Sequence, residues 1–119
     1  MLLKIYIYIY YMSKIRVNGM LDKSSDCLIY YWAPRAIEDK YADNCVPYSS
    51  PEQAYDNSSN VGVTTCNKSG MFELMLDNPA PYYINGEYIK PHVNVKSQNN
   101  PNKVITIMLD NNEYIINEV

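Results

Sequence analysis

The stretch Lys90-Pro91-His92-Val93-Asn94-Val95-Lys96 carries the residue types best suited to chemistry. Read as a strand, it puts Lys90, His92, Asn94 and Lys96 on one face and Val93 and Val95 on the other. His92 is the one histidine in the chain. Its imidazole stands beside an amide and two cations, where it can ligate a metal, move a proton or act as a hydrogen-bonding group. A lone histidine on a strand is most often the last of these, so His92 and Asn94 read first as a polar pair facing solvent or a neighbouring chain.

Other chemistry is thinly represented. Cys27, Cys45 and Cys66 are odd in number and irregular in spacing, which is a poor disulfide framework. No Cys-x-x-Cys or Cys/His cluster suggests zinc. The cysteines read as unbridged thiols in a reducing compartment. Asn57-Ser58-Ser59 and Asn67-Lys68-Ser69 match the glycosylation sequon, a frequent coincidence in Asn/Ser-rich chains. The net charge is −3, and no Lys/Arg cluster is present to neutralise phosphates, so the chain does not read as a nucleic-acid binder.

Two short motifs resemble a known family. Asn78-Pro79-Ala80-Pro81-Tyr82, followed by Lys90-Pro91-His92-Val93-Asn94, resembles the Pro-x-Pro-Tyr … Arg-Pro-x-His-x-His signature of intradiol ring-cleavage (catechol-type) dioxygenases. The segment from Thr64 to Phe72 is similar to the Thr-x-x-x-Gly-x-Tyr/Phe hairpin that precedes that tyrosine. The same hairpin occurs in transthyretin-like and carboxypeptidase-regulatory-like sandwiches. Arg16 to Trp32 resembles the family's opening, and the likeness spans about residues 14 to 109. It implies a non-haem Fe(III) held by two tyrosinates and two histidines. Tyr82 would be one phenolate ligand and His92 the first imidazole. Lys90 stands where the family has an arginine near the substrate. The second tyrosine would come from the irregular region, with Tyr48 the first candidate and Tyr41 the next. Asn94 replaces the second histidine, and a neutral amide oxygen is a weak ligand where imidazole is a good one. The chain is also shorter than catalytic members. The expectation is a sandwich kept and an iron chemistry lost, with Tyr82 an ordinary aromatic at a strand start.

The elements that must position these residues are β throughout. Ile15 and Val17 alternate with Arg16 and Asn18 until Gly19 interrupts before Met20 and Leu21. Cys27 to Trp32 is a continuous apolar run, expected to be buried on both faces. Residues 34 to 59 are irregular. Within them Pro34 to Tyr41 can hold a helical turn or two. Ser50-Pro51-Glu52-Gln53 is a better helix start, with a capping serine, Pro at the first position and Gln to complete a capping box. That helix should end near Asn57. Strands resume at Val61 to Cys66, turn at Asn67 to Gly70, and continue through Met71 to Leu76 with Phe72, Leu74 and Leu76 inward. Asn85-Gly86 between Tyr82-Tyr83-Ile84 and Glu87-Tyr88-Ile89 is a strong hairpin signal. Val104 to Leu109 and Glu113 to Ile116 complete the set. Seven to eight short strands with one short helix in an irregular insert predict an all-β fold, an antiparallel β-sandwich.

The opening Lys4-Ile5-Tyr6-Ile7-Tyr8-Ile9-Tyr10-Tyr11 alternates almost without fault. It is too short to span a bilayer and lacks the small-residue cleavage site of a signal peptide. Ile-Tyr repeats are what an alternating A/T tract encodes, and Met12-Ser13-Lys14 resembles a protein start. Residues 1–11 therefore read as an extension and 12–119 as one domain. The rival reading is a real edge strand or an intermolecular one, because two apolar faces must be covered. With 13 tyrosines against one Phe and one Trp, the surface should be rich in contact residues.

The expected function is thus a non-catalytic interaction or assembly module, binding a protein partner or itself. An A/T-biased chain on a degenerate enzyme fold suits a viral particle component, intracellular or in the virion. The alternative is an altered Fe(III) ring-cleavage enzyme. Cofactors are expected to be none, with Fe(III) in that alternative. No membrane span is expected.

Overall fold

A computed structural model describes residues 2–10, 14–21, 27–36, 47–111 and 113–118. Among these residues, ten strands and one short helix follow one another as β1 (Leu2–Tyr10), β2 (Lys14–Leu21), β3 (Cys27–Trp32), α1 (Pro51–Tyr55), β4 (Val61–Cys66), β5 (Met71–Asp77), β6 (Tyr82–Ile84), β7 (Glu87–Ile89), β8 (His92–Ser97), β9 (Lys103–Met108) and β10 (Glu113–Glu118). One layer is a three-stranded sheet in the order β1-β2-β5. The other has five strands in the order β10-β9-β8-β3-β4, and β6-β7 is a separate hairpin. The expected antiparallel sandwich is therefore present, with more strands than the seven to eight anticipated.

Alternation decides which residues meet between the layers. Ile15, Val17 and Leu21 of β2 and Phe72, Leu74 and Leu76 of β5 are buried. They face Ile29, Val93, Val95, Ile105 and Ile107 of the larger sheet. Ile5 and Ile7 of β1 pack against the same core, while Tyr6 and Tyr8 on the other face are half exposed. β1 pairs with β2 from Leu2↔Leu21 to Tyr10↔Lys14. Leu2 is fully buried, and its carbonyl accepts a hydrogen bond from the Tyr114 hydroxyl of β10 at 2.7 Å. Residues 2–10 thus form one edge strand of the smaller sheet.

Two local expectations change. Gly19 does not interrupt β2. It lies within the strand because the Phe72 ring covers it, and a Cβ there would sit 2.2 Å from the ring's Cζ. The run Cys27–Trp32 is not buried on both faces. Cys27 and Ile29 face the core, while Tyr30 is exposed.

The turns follow their chemistry. Asn85 and Gly86 take φ of 50° and 82°, the two positive values of a tight hairpin turn. Ser50 accepts from Gln53 N at 3.2 Å, and the Gln53 carboxamide accepts from Ser49 N at 3.0 Å. The capping box is thus displaced by one residue. Asn57 takes the left-handed φ of 51° just past the helix. Pro34–Ala36 form no helix; the remainder of that expected turn lies outside the described residues.

The insert between β3 and β4 is pinned at its base. Ala33 N donates to Asn60 O at 2.9 Å. The buried Asn60 side chain donates to Pro34 O at 2.9 Å and Asp77 O at 2.8 Å, and accepts from Asp77 N at 2.9 Å. Every donor and acceptor of the amide is used, as burial requires. The amide therefore ties the start of β4 in one sheet to the end of β5 in the other. Among the described residues, no helix is long and apolar enough to cross a membrane.

Candidate functional site

Strand β8 carries His92 and Asn94 on the outer face of the five-stranded sheet. Their neighbours there are Met108 and Thr106 of β9. This face is roofed rather than open. Helix α1 brings Tyr55 over it, and Tyr82, at the start of β6, closes one side. His92 is 5% exposed and Tyr82 6%, so the expected solvent-facing polar pair is instead covered. Tyr82 is positioned by the insert itself. Tyr48 N donates to Pro81 O at 3.0 Å and Tyr83 N to Tyr48 O at 2.9 Å, forming a short bridge beside Tyr82.

The polar groups form a chain of hydrogen bonds with one consistent direction. Thr106 Oγ1 donates to Asn94 Oδ1 at 2.8 Å. Asn94 Nδ2 donates to the Tyr55 hydroxyl at 3.2 Å. The Tyr55 hydroxyl lies 3.0 Å from His92 Nε2, and His92 Nδ1 lies 2.8 Å from Lys90 O. A carbonyl can only accept, so Nδ1 carries the proton and Nε2 offers its lone pair to the Tyr55 O–H. The Tyr82 hydroxyl stands 3.5 Å from the same Nε2. The Tyr82 ring makes an edge contact with Tyr55, centroids 5.7 Å apart, and a tilted contact with His92 at 5.6 Å.

Burial sets the protonation states. It lowers the His92 pKa below the usual imidazole value, and the hydrogen bond to the Lys90 carbonyl opposes this only in part. Burial also holds the Tyr55 phenol well above its ordinary value, with the Tyr82 hydroxyl adding to the rise and the Asn94 amide opposing it. Near neutrality the site is a neutral imidazole facing the neutral Tyr55 phenol. Beside it lies a cleft of about 490 Å³ whose walls include Tyr88, Lys90, Met108 and Ile115.

Of the residues singled out in the sequence, Tyr82, His92, Asn94 and Lys90 converge on this cleft. The Lys90 ammonium lies 3.5 Å from Asp110 on the exposed rim. Tyr48 is placed differently: its hydroxyl donates to Ala36 O at 2.9 Å, and the Arg35 guanidinium lies over its ring. Tyr41 and Cys45 lie outside the described residues. The second tyrosine at His92, beside Tyr82, is Tyr55, which motif spacing did not indicate. Its one sequence signal is that it is the aromatic residue of the Ser50-capped helix. Thr106 had no signal, because its role depends on the pairing of β9 with β8.

No protein-family model, curated protein or solved structure matches this chain. Among the described residues, no three His, Cys, Asp or Glu side chains gather as a metal cluster. The donors that gather around His92 Nε2 are the Tyr55 and Tyr82 hydroxyls.

Proposed function

We propose that this chain works by contact: a β-sandwich module that associates through the outer edge of β1, with a second copy of itself as the partner. The observation that carries this reading is β1 itself. It is a nine-residue terminal strand of its sheet, and among the described residues no strand pairs with its outer side. Long edges of this kind are normally blunted by charge, proline or a bulge. Here Lys4 is the one charged residue in the strand, and the irregularity between Leu2 and Lys4 leaves the remainder regular. Strict alternation also makes the strand self-complementary. In an antiparallel pair of β1 strands, tyrosine rows meet tyrosine rows and isoleucine rows meet isoleucine rows. A closed dimer of this sort suits a building block of a particle, including a viral one.

Sedimentation of the full chain across the micromolar range tests this. The expected result is a reversible dimer that becomes monomeric in the Tyr6→Lys/Tyr8→Lys variant while its circular dichroism is unchanged. A full chain that stays monomeric throughout would overturn the reading.

A second reading rests on the convergence of Tyr55, Tyr82 and His92. Two phenol oxygens 3.0 and 3.5 Å from one imidazole nitrogen are spaced as neighbouring ligands of one ion, and hard oxygen donors with imidazole suit Fe(III). Asn94 presents its N–H to Tyr55 rather than an oxygen to a metal, so three protein ligands would hold the ion. When bound, Fe(III) would supply the Lewis-acid and redox chemistry of the intradiol dioxygenases that the Pro-x-Pro-Tyr and Pro-x-His motifs resemble. The chain's own part would be to hold His92 by its Nδ1–H and to stabilise a Tyr55 phenolate through Asn94. Metal analysis and a visible spectrum after iron loading test this. One iron per chain with a tyrosinate band, lost in Tyr55→Phe and in Tyr82→Phe, supports it; a colourless protein that takes up no iron ends it.

A further inference from the structure

Cys27 and Cys66 are far apart in sequence but face each other directly. Cys27 opens β3, Cys66 closes β4, and the two are register partners in an antiparallel pair. Both side chains point to the inner face and both are thiols. The Cys27 sulfur accepts from Ser97 Oγ at 3.7 Å. The Cys27 thiol also hydrogen-bonds Cys66, and with burial, the larger cause, it pushes the Cys66 thiol up. Directly opposed residues on antiparallel strands have Cα atoms about 4.5–5.5 Å apart, within the span of roughly 4.4–6.8 Å that a disulfide bridges. Both residues are buried, 6% and 3% exposed, but they lie against an open groove. Cys27 and Cys66 line a groove of about 720 Å³ that runs past Thr65, Asn67 and Phe72 at the β4–β5 edge and opens to solvent.

We propose that Cys27 and Cys66 form a reversible cross-strand disulfide, making this end of the sandwich a thiol–disulfide exchange site for low-molecular-weight disulfides. One thiolate attacks the small disulfide, forming a mixed disulfide and releasing one small thiol. The second cysteine, deprotonated, then attacks the protein sulfur of that mixed disulfide. The Cys27–Cys66 bond forms and a second small thiol leaves. The protein loses two electrons and two protons, and the small disulfide takes them up as two thiols.

The position gives the bond a structural effect. β4 is one of the two outermost strands of its sheet, and its pairing with β3 runs from Cys27↔Cys66 at one end to Trp32↔Val61 at the other. The insert bearing Tyr55 leaves from the Trp32↔Val61 end, where Asn60 already secures it. A bond at the Cys27↔Cys66 end closes the loop from β3 through the insert to β4 and fastens the edge strand at both ends. The oxidised protein should therefore be the more stable one.

The test is equilibration of the full chain, and of a Cys45→Ser variant, with mixtures of oxidised and reduced glutathione, followed by acid quenching and non-reducing peptide mapping. The expected product in both proteins is the intramolecular Cys27–Cys66 link. It should come with a rise in Tm of about 5–10 °C, reversed by excess reduced glutathione. In a Cys27→Ser variant, Cys66 should stop at the glutathione adduct. The proposal is overturned if excess oxidised glutathione leaves both cysteines as thiols or as stable adducts, or if Cys45 takes the place of either partner in the full chain.

Discussion

The Tyr55 hydroxyl lies 3.0 Å from Nε2 of His92, a residue 37 positions away in the chain. That contact joins a short helix of the insert to a central strand of the larger sheet. Asn94 completes it by donating to the same oxygen.

Removing that oxygen should therefore leave two partners wanting. In Tyr55→Phe, His92 Nε2 loses its donor and Asn94 Nδ2 its acceptor. The expected loss is about 1–3 kcal/mol of stability, read from chemical denaturation. Tyr48→Phe forfeits the bond to the Ala36 carbonyl and should cost about 1 kcal/mol. Equal losses in the two variants would mean that the relay through Tyr55 contributes nothing beyond a single bond.

The pH dependence of stability should show His92 directly. Its folded-state pKa is lowered by burial, so the unfolded chain binds the proton more readily. That contribution is complete above the unfolded pKa of about 6.5 and is lost as pH falls from there to the folded value. Tm should decline on acidification below about pH 6.5, and the decline should flatten in His92→Gln. Asp77 acts in a lower window. Its carboxyl is held below the usual range by Lys14 and, less strongly, by Ser59, against the opposing effect of burial, so its contribution is lost only as pH falls below about 3.9. A Tm profile flat from pH 7 down to that range would contradict the assignment of a buried neutral His92.

Asn60 should be among the costliest polar side chains to remove. Asn60→Ala deletes the bonds to Pro34 O, Asp77 O and Asp77 N at once, in a position 2% exposed. A loss of about 3–5 kcal/mol is expected. Native-state hydrogen exchange should show the Asp77 amide deprotected. Retained protection at Asp77 would show that water or backbone replaces the amide without loss.

Gly19 and Phe72 should behave as one unit. A methyl group at residue 19 meets three atoms of the Phe72 ring between 2.2 and 2.9 Å. Gly19→Ala should cost about 1–3 kcal/mol, and most of that cost should disappear on a Phe72→Leu background in a double-mutant cycle. Additive effects would separate the two residues.

The fold was legible wherever pattern and turn chemistry act locally. Phe72, Leu74 and Leu76 follow the period of two, Asn85-Gly86 has the positive φ values its turn requires, and Ser50-Pro51 opens a helix where expected. Gly19 and the run Cys27–Trp32 were misread because each depends on a residue from another strand or on which face the opposite sheet covers. The same limit applied to the site. Tyr82, His92 and Asn94 could be picked out because two of them share a strand face and the third belongs to the same motif. Tyr55 and Thr106 could not, since one arrives on the insert and the other through the β8–β9 register. The facing of Cys27 and Cys66 is likewise a property of pairing, invisible to spacing.

The insert leaves the sandwich at Ala33 and returns at Asn60, and a single backbone hydrogen bond of 2.9 Å joins the two. A segment whose ends meet this closely is, in engineering terms, a graft on a fixed stock. Beyond that point its described residues are held again where Arg35 bonds Ala80 and Tyr48 bonds Pro81 and Tyr83, so sequence can be exchanged between these anchors while both sheets keep their strands. His92, Asn94 and Thr106 belong to the stock, whereas Tyr55 belongs to the graft. Exchange of one surface segment would therefore change what confronts the imidazole while the strands that present it stay as they are.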